Sequence, residues 1–372
     1  MKRLTRNDIQ LGQPLPWSVH DKDGRLLLRK GIVIAFEHQI ERLIANGLYL
    51  GTQEVAPTHK KYEVEESDPV FDHIGSLTLR LKSLFNSLCS YPPAADTPMR
   101  LINVAKDIAE TCARDPDAAI AAANLDFHNP YLLSHHIHSA VLCALVGRRL
   151  EIPEKQLISI LCAALTYDIG LIDLQHLEKQ LDPLNDQQIA AIRQHPLKSV
   201  EMLKQVKIHD EIWLSAILHH HERADGSGYP EGLSADKIPL GASMLGAMDS
   251  YMAMVKSRPF REAKVPLKAI GEIFNEKGAK FTKSVCDALV KELGMYPPGA
   301  IVKLSNNEIA VVKARGEKIT QPQVFSVFDT AGMPYMVPRQ RDTTTEEFTV
   351  KGTVAHSECR AVAMIMRRLW SK

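Results

Sequence analysis

Apolar positions recur at intervals of three and four through the middle of the chain, whereas near both ends they run together in short blocks between turn-forming residues. This contrast predicts a helical body flanked by strand-bearing segments. The helical period covers 131–149, 154–167, 186–205, 210–221, 241–255, 265–275 and 282–292, and the apolar stripes of these segments require a bundle to bury them. Ahead of them, 74–88 and 99–113 share the periodicity and are separated by Pro92-Pro93, while the alanines from Ala118 to Ala123 favour a further helix. Asn129-Pro130 has the form of an N-cap with a first-turn proline.

At the N-terminal end, Leu15 to Val19, a turn at Asp21-Lys22-Asp23-Gly24 and the run Leu26-Leu27-Leu28 predict a small β-containing module. Ile32-Val33-Ile34 extends it, and a helical pattern from Phe36 to Asn46 carries Ile40, Leu43 and Ile44 on one face before Gly47 ends it. Val55 to Pro69 is polar and reads as a linker. After Pro297-Pro298-Gly299, strands are expected at Ile301–Leu304, Ile309–Val312 and Val324–Val327. Arg341 to Glu347 reads as exposed or mobile, and Cys359 to Trp370 as a terminal helix. The division expected is 1–56, a small α/β module; 57–128, a linker and helical segment; 129–298, a helical domain; and 299–372, a C-terminal β-extension with its helix.

Composition narrows the classes of function. Lysine plus arginine total 45 against 44 for aspartate plus glutamate, so a formal charge of +1 provides no field for a nucleic acid polymer. The six cysteines are dispersed without a CxxC pair, and a structural zinc knot is not expected. No window approaches eighteen uncharged apolar residues, and the start from Met1 to Asp8 has no apolar stretch behind it; the expectation is a cytoplasmic protein without membrane insertion. Met244, Met248, Met252 and Met254 follow helical spacing and read as core.

The chemistry lies in the helical domain, where His135, Asp168, His195, His220, His221 and Asp249 follow one another. Any one of these histidines is more often a satisfied core group than a ligand, but imidazoles and carboxylates together are the donors that neighbouring transition-metal ions take. Leu218 to Pro230 reads Leu-His-His-His-Glu-Arg-Ala-Asp-Gly-Ser-Gly-Tyr-Pro, a helix end dense in polar groups that a cation would compensate. Gly226 and Gly228 permit a sharp bend and Pro230 stiffens its exit, so the loop is expected to hold one shape.

Over residues 130–298 this pattern resembles the HD-GYP branch of the HD phosphohydrolase superfamily, whose members hydrolyse the second messenger cyclic di-GMP. The resemblance rests on His195-Pro196, His220-His221-Glu222-Arg223, the loop Asp225-Gly226-Ser227-Gly228-Tyr229-Pro230, Asp249, and Arg258-Pro259-Phe260-Arg261. It implies a mainly α, HD-type helical bundle with metal ligands at His135, Asp168, His195, His220, His221 and Asp249, of which Asp168 bridges. It also puts Arg258 and Arg261 near substrate phosphates, with Asp168 as their catalytic companion if the centre is active, and makes the loop a surface for diguanylate cyclase domains or other signalling proteins. The metal expected is iron or manganese, with zinc or nickel as alternatives.

Departures from the family pattern are as specific as the matches. Tyr167 stands where the name-giving histidine belongs, Leu171 replaces a lysine, Tyr131 a glutamate, Met252 an aspartate, and Ser199 the glycine that ends the HPxxG motif. A phenol with an ordinary pKa of about 10 is a poor ligand beside imidazole, and leucine places no charge on a phosphate oxygen. The expectation is one metal site better occupied than the other, with cyclic di-GMP bound, a signalling partner engaged, and hydrolysis weak or absent. A phosphodiesterase yielding pGpG or GMP is the alternative.

Overall fold

The computed structural model describes residues 2–9, 15–20, 26–28, 30, 34, 40, 43–44, 49–50, 69–90, 93–125, 131–180, 182–255, 264–354 and 369–370. They divide into two compact units, one formed by Met1–Pro69 with Tyr296–Lys372 and the other by Val70–Met295.

The first unit holds two antiparallel sheets. Its N-terminal sheet has the order β1-β4-β2-β3, from β1 (Lys2–Arg3), β2 (Val19–His20), β3 (Leu26–Leu28) and β4 (Tyr49–Leu50). Leu4, Ile9, Leu15, Val19, Leu28, Ile34, Ile40 and Leu43 form its core, and Met333 from the C-terminal segment packs on them. Residues 40, 43 and 44 of the expected 36–46 helix are helical. The remainder of that helix, the linker ahead of Pro69, the Asn129-Pro130 cap and most of the expected terminal helix lie outside the described residues.

The second sheet runs β8-β7-β6-β5-β9, from β5 (Ile301–Leu304), β6 (Ile309–Ala314), β7 (Gln323–Phe328), β8 (Pro334–Arg341) and β9 (Val350–Val354). β5, β6 and β7 fall on the expected blocks, whereas β8 and β9 form the two edges and were not anticipated. β8 carries Pro334 and Pro338, which lack the donor a central strand needs. Asp342 and Thr344 to Glu347 are exposed as expected, whereas Arg341 ends β8 with two 2.7 Å bonds to buried Glu308 and Thr343 is 4 % exposed. Glu308 also accepts from Ser326 and Tyr335. Burial raises its carboxyl, but these hydrogen bonds outweigh it and hold the pKa at about 2.

The helical unit comprises α1 (Pro69–Leu88), α2 (Thr97–Arg114), α3 (Pro116–Asn124), α4 (Tyr131–Arg149), α5 (Glu154–Ala164), α6 (Asp186–Arg193), α7 (His195–Gln205), α8 (Glu211–Leu218), α9 (Leu240–Val255), α10 (Pro266–Asn275) and α11 (Lys283–Leu293). α4 is its axis: it touches α2, α3, α5, α9 and α11, and is buried from Leu132 to Gly147. A helix enclosed on all sides carries polar groups inward only where they find partners, and this one carries His135, His136, His138 and Ser139.

Three expected helices end early or divide, each beside the polar cluster. The 186–205 segment splits at Gln194 into α6 and α7, because Pro196 lacks the N–H that a continuous helix would bond. α5 stops at Ala164, and a 3-10 segment, Ile169–Lys179, follows a turn through Tyr167 and Asp168. α8 stops at Leu218, leaving His219, His220 and His221 in a turn. The stretch Glu154–Leu174, which carries Asp168 and Asp173, is long and apolar enough to cross a membrane by length and composition, and 72% of its most apolar window is buried within the protein.

Candidate metal centre

The two interrupted ends deliver ligands that continuous helices would have aimed apart. His195 opens α7 and His220 follows α8, and each donates its Nδ1 proton to a carbonyl three residues back, Ile192 at 2.7 Å and Ile217 at 2.6 Å. In the neutral tautomers this leaves both Nε2 atoms as bare acceptors, and they face each other at 3.2 Å. Two lone pairs at that distance repel unless a proton or cation lies between them. Burial lowers the pKa of His195, but its hydrogen bond with Asp168, 3.2 Å from its Nε2, raises it on balance. The arrangement fits a cation, and the backbone anchors of both rings are those commonly found behind metal-bound imidazoles.

His195, His220 and His221 place one donor atom each within 4.8 Å of one another, and so do His135, Asp168 and Asp249. All six ligands named from the sequence therefore come together in two sets of three. His135 Nε2 lies 2.9 Å from Asp249 Oδ1. Burial raises the carboxyl of Asp249, but His135 and the neighbouring imidazoles outweigh it and hold it far below the usual carboxylate range. Asp168 is lowered in the same way, with burial opposed by His195. Burial pushes His220 well below 6.5 and His221 to about 3, so both imidazoles are neutral, the form that binds metal.

Tyr167 turns into this centre. Its ring is fully buried, 5.1 Å from that of His220, and its hydroxyl lies 3.2 Å from Ser139 Oγ and donates to Asp249 Oδ1 at 3.4 Å. The turn that carries it is pinned by Ser199, whose hydroxyl donates to the Tyr167 carbonyl at 2.7 Å and accepts from the Gly170 amide at 2.9 Å. The serine that departs from the HPxxG motif thus has a structural task. Leu171 is half-buried in the 3-10 segment and Met252 lies in the core at 1 % exposure. Arg258, Arg261 and the side chain of Tyr131 lie outside the described residues.

Two residues assume roles that their spacing did not reveal. His136 donates from Nδ1 to the Leu132 carbonyl at 2.7 Å and accepts the Asp168 amide at 3.4 Å, while burial lowers its pKa to about 4. It is a neutral brace for the Asp168 turn. Glu222 does not add to the polar density at the metal ligands, as the sequence had implied. Its carboxylate accepts the amides of Glu231, Gly232 and Leu233 at 2.7, 3.2 and 2.8 Å and closes the loop on itself. Gly228 crosses so near Glu222 that a Cβ there would lie 2.4 Å from the Glu222 Cα.

The loop presents Asp225, Gly226 and Pro230 to solvent, but Tyr229 is half-buried and stacks on His221 with ring centroids 4.7 Å apart. His221 and Tyr229 line a cavity of about 670 Å³ together with Arg193, Arg223, Phe281 and Glu276. Its size suits a small organic ligand.

Residues 120–285 match the family model described as HD domain. The chain is 31% identical to cyclic di-GMP phosphodiesterase PA4108 of Pseudomonas aeruginosa over 239 residues, 63% of this chain and 56% of that protein. It is 24% identical to cyclic di-GMP phosphodiesterase PdeB of Borreliella burgdorferi over 183 residues, 49% of this chain and 48% of that protein. The chain thus spans about half the length of the curated relatives it matches. A solved structure, Bd1817, an HDG"Y"P protein from Bdellovibrio bacteriovorus, shares the fold with TM-score 0.50 at 16% identity, covering 78% of this chain and 98% of that one.

Proposed function

We infer that this chain belongs to the HD-GYP family of HD domains, and from that premise that it acts in cyclic di-GMP signalling by binding the nucleotide beside its metal centre, with hydrolysis weak or absent. Bound there, a divalent transition metal such as iron or manganese would supply Lewis-acid polarisation of a phosphate oxygen and acidify a water. His195, His220 and His221 hold the better site, with Asp168 shared towards the His135–Asp249 set.

The observation that carries this reading is Tyr167. Its phenol occupies the interior beside Asp249, where it offers that carboxylate a neutral hydrogen bond in place of the ring nitrogen of a further imidazole. Leu171 contributes no charge where the reaction needs a cation, and one missing transition-state donor costs about 3 kcal/mol, roughly two decades in rate. The exposed loop residues Asp225, Gly226 and Pro230 remain accessible to a protein partner such as a diguanylate cyclase domain.

A second reading, a metal-dependent phosphodiesterase, is favoured by the convergence of His135, Asp168 and Asp249 on a second position that could hold an ion. A second ion there would permit a two-metal clamp on the attacking and leaving oxygens. Counting the metal separates the two. Elemental analysis of anaerobically purified protein should find about one transition-metal ion per chain, as expected when one ligand set is short of an imidazole. Two tightly held ions, placed by anomalous scattering, would favour the second reading over the first.

A further inference from the structure

The cavity beside His221 is lined by both signs of charge, and most of its charged groups are already engaged. Glu276 pairs with Lys280 at 3.0 Å. Glu272 on the same rim is paired with Lys264. Arg223 donates through Nη1 to the carbonyls of His220 and Glu222, and its guanidinium covers the Phe281 ring at 5.1 Å. Burial lowers its pKa, so this arginine is built into the wall.

Arg193 differs. It is the last residue of α6, exposed to solvent, and among the described residues no carboxylate pairs with it. Its guanidinium lies 5.7 Å from the centre of the Tyr229 ring, on the tyrosine whose ring stacks on His221. A cation resting on an aromatic face keeps its in-plane N–H donors directed outward. Arg193 lines the cavity together with His221, Ser227 and Gly228.

We propose that Arg193 is a phosphate-binding residue, which takes a phosphodiester oxygen of the cyclic dinucleotide and seats that phosphate on the His221 side of the Tyr229 ring. The proposal rests on the nucleotide-binding reading given above. Arg193 also provides positive charge from α6, whereas Leu171 in the 3-10 segment cannot. A planar guanidinium donates to two phosphate oxygens at once, which an ammonium does only as a point charge.

Calorimetric titration of the full, metal-loaded chain with cyclic di-GMP tests this, together with Arg193→Gln and Arg193→Lys and the metal content of each. The wild type should bind, Arg193→Gln should bind about tenfold more weakly, as loss of a charge-assisted contact implies, and Arg193→Lys should fall between them. The affinity of Arg193→Gln should also depend less steeply on salt, because one ionic contact is gone. Equal affinities of wild type and Arg193→Gln would overturn the assignment while leaving the nucleotide-binding reading intact. A loss of metal in Arg193→Gln would overturn it too, by showing that the residue acts through the ligands. If the wild type itself failed to bind cyclic di-GMP, the function proposed above would fall and the assignment with it.

Discussion

His221 shows how much one ligand depends on a residue that binds no metal. Its ring is sandwiched against Tyr229, 27° from parallel, so the aromatic loop residue fixes the imidazole plane. Tyr229→Ala should therefore weaken metal affinity about tenfold, the lower range for loss of a group that orients a ligand, while Tyr229→Phe should keep it; competition with a chelating dye measures both. An unchanged affinity in the alanine variant would show that the turn alone fixes His221. That His135, Asp168, His195, His220, His221 and Asp249 come together was legible from the sequence because imidazoles and carboxylates recur in a specific order around the loop. The direction of Tyr229, the brace made by His136 and the loop closure by Glu222 were not, since each depends on which way a side chain points from a turn whose shape only the tertiary structure sets.

The elements of the helical unit were largely legible, and their endings were not. Periodicity located α4, α9, α10 and α11 because each buries a continuous stripe, but a period cannot show where a helix must stop so that its last residues face a metal. The edge strands β8 and β9 were missed because prolines and charges mask the alternation that marks a buried strand. α9 illustrates the tolerance of the arrangement: it passes so close to the His220 turn that a Cβ on Gly246 would lie 2.2 Å from the His220 carbonyl oxygen. Gly246→Ala should accordingly destabilise the protein by about 1–3 kcal/mol, the usual cost of overpacking, and loosen metal binding along with it. Chemical denaturation with and without metal measures both effects; an unaltered midpoint would mean that the turn yields without cost.

For the molecule as a whole, the chain's two ends share one unit, and Met333 packs on a core drawn mainly from the first 43 residues. No local pattern announces a contact spanning that much sequence, which is why the ends read as separate modules. The helical unit encloses two groups of three residues that could each hold a metal ion, and on the function proposed above turnover of substrate depends on Tyr167, beside Asp249, and on the uncharged Leu171. The most direct test of this account is the rate of cyclic di-GMP hydrolysis by the metal-loaded wild type, set against an intact family member and against Tyr167→His combined with Leu171→Lys. The account predicts a wild-type rate at least roughly a hundredfold below the intact enzyme, with a substantial gain in the double variant and little in either single one. A metal-dependent wild-type rate equal to that of the intact enzyme would contradict it.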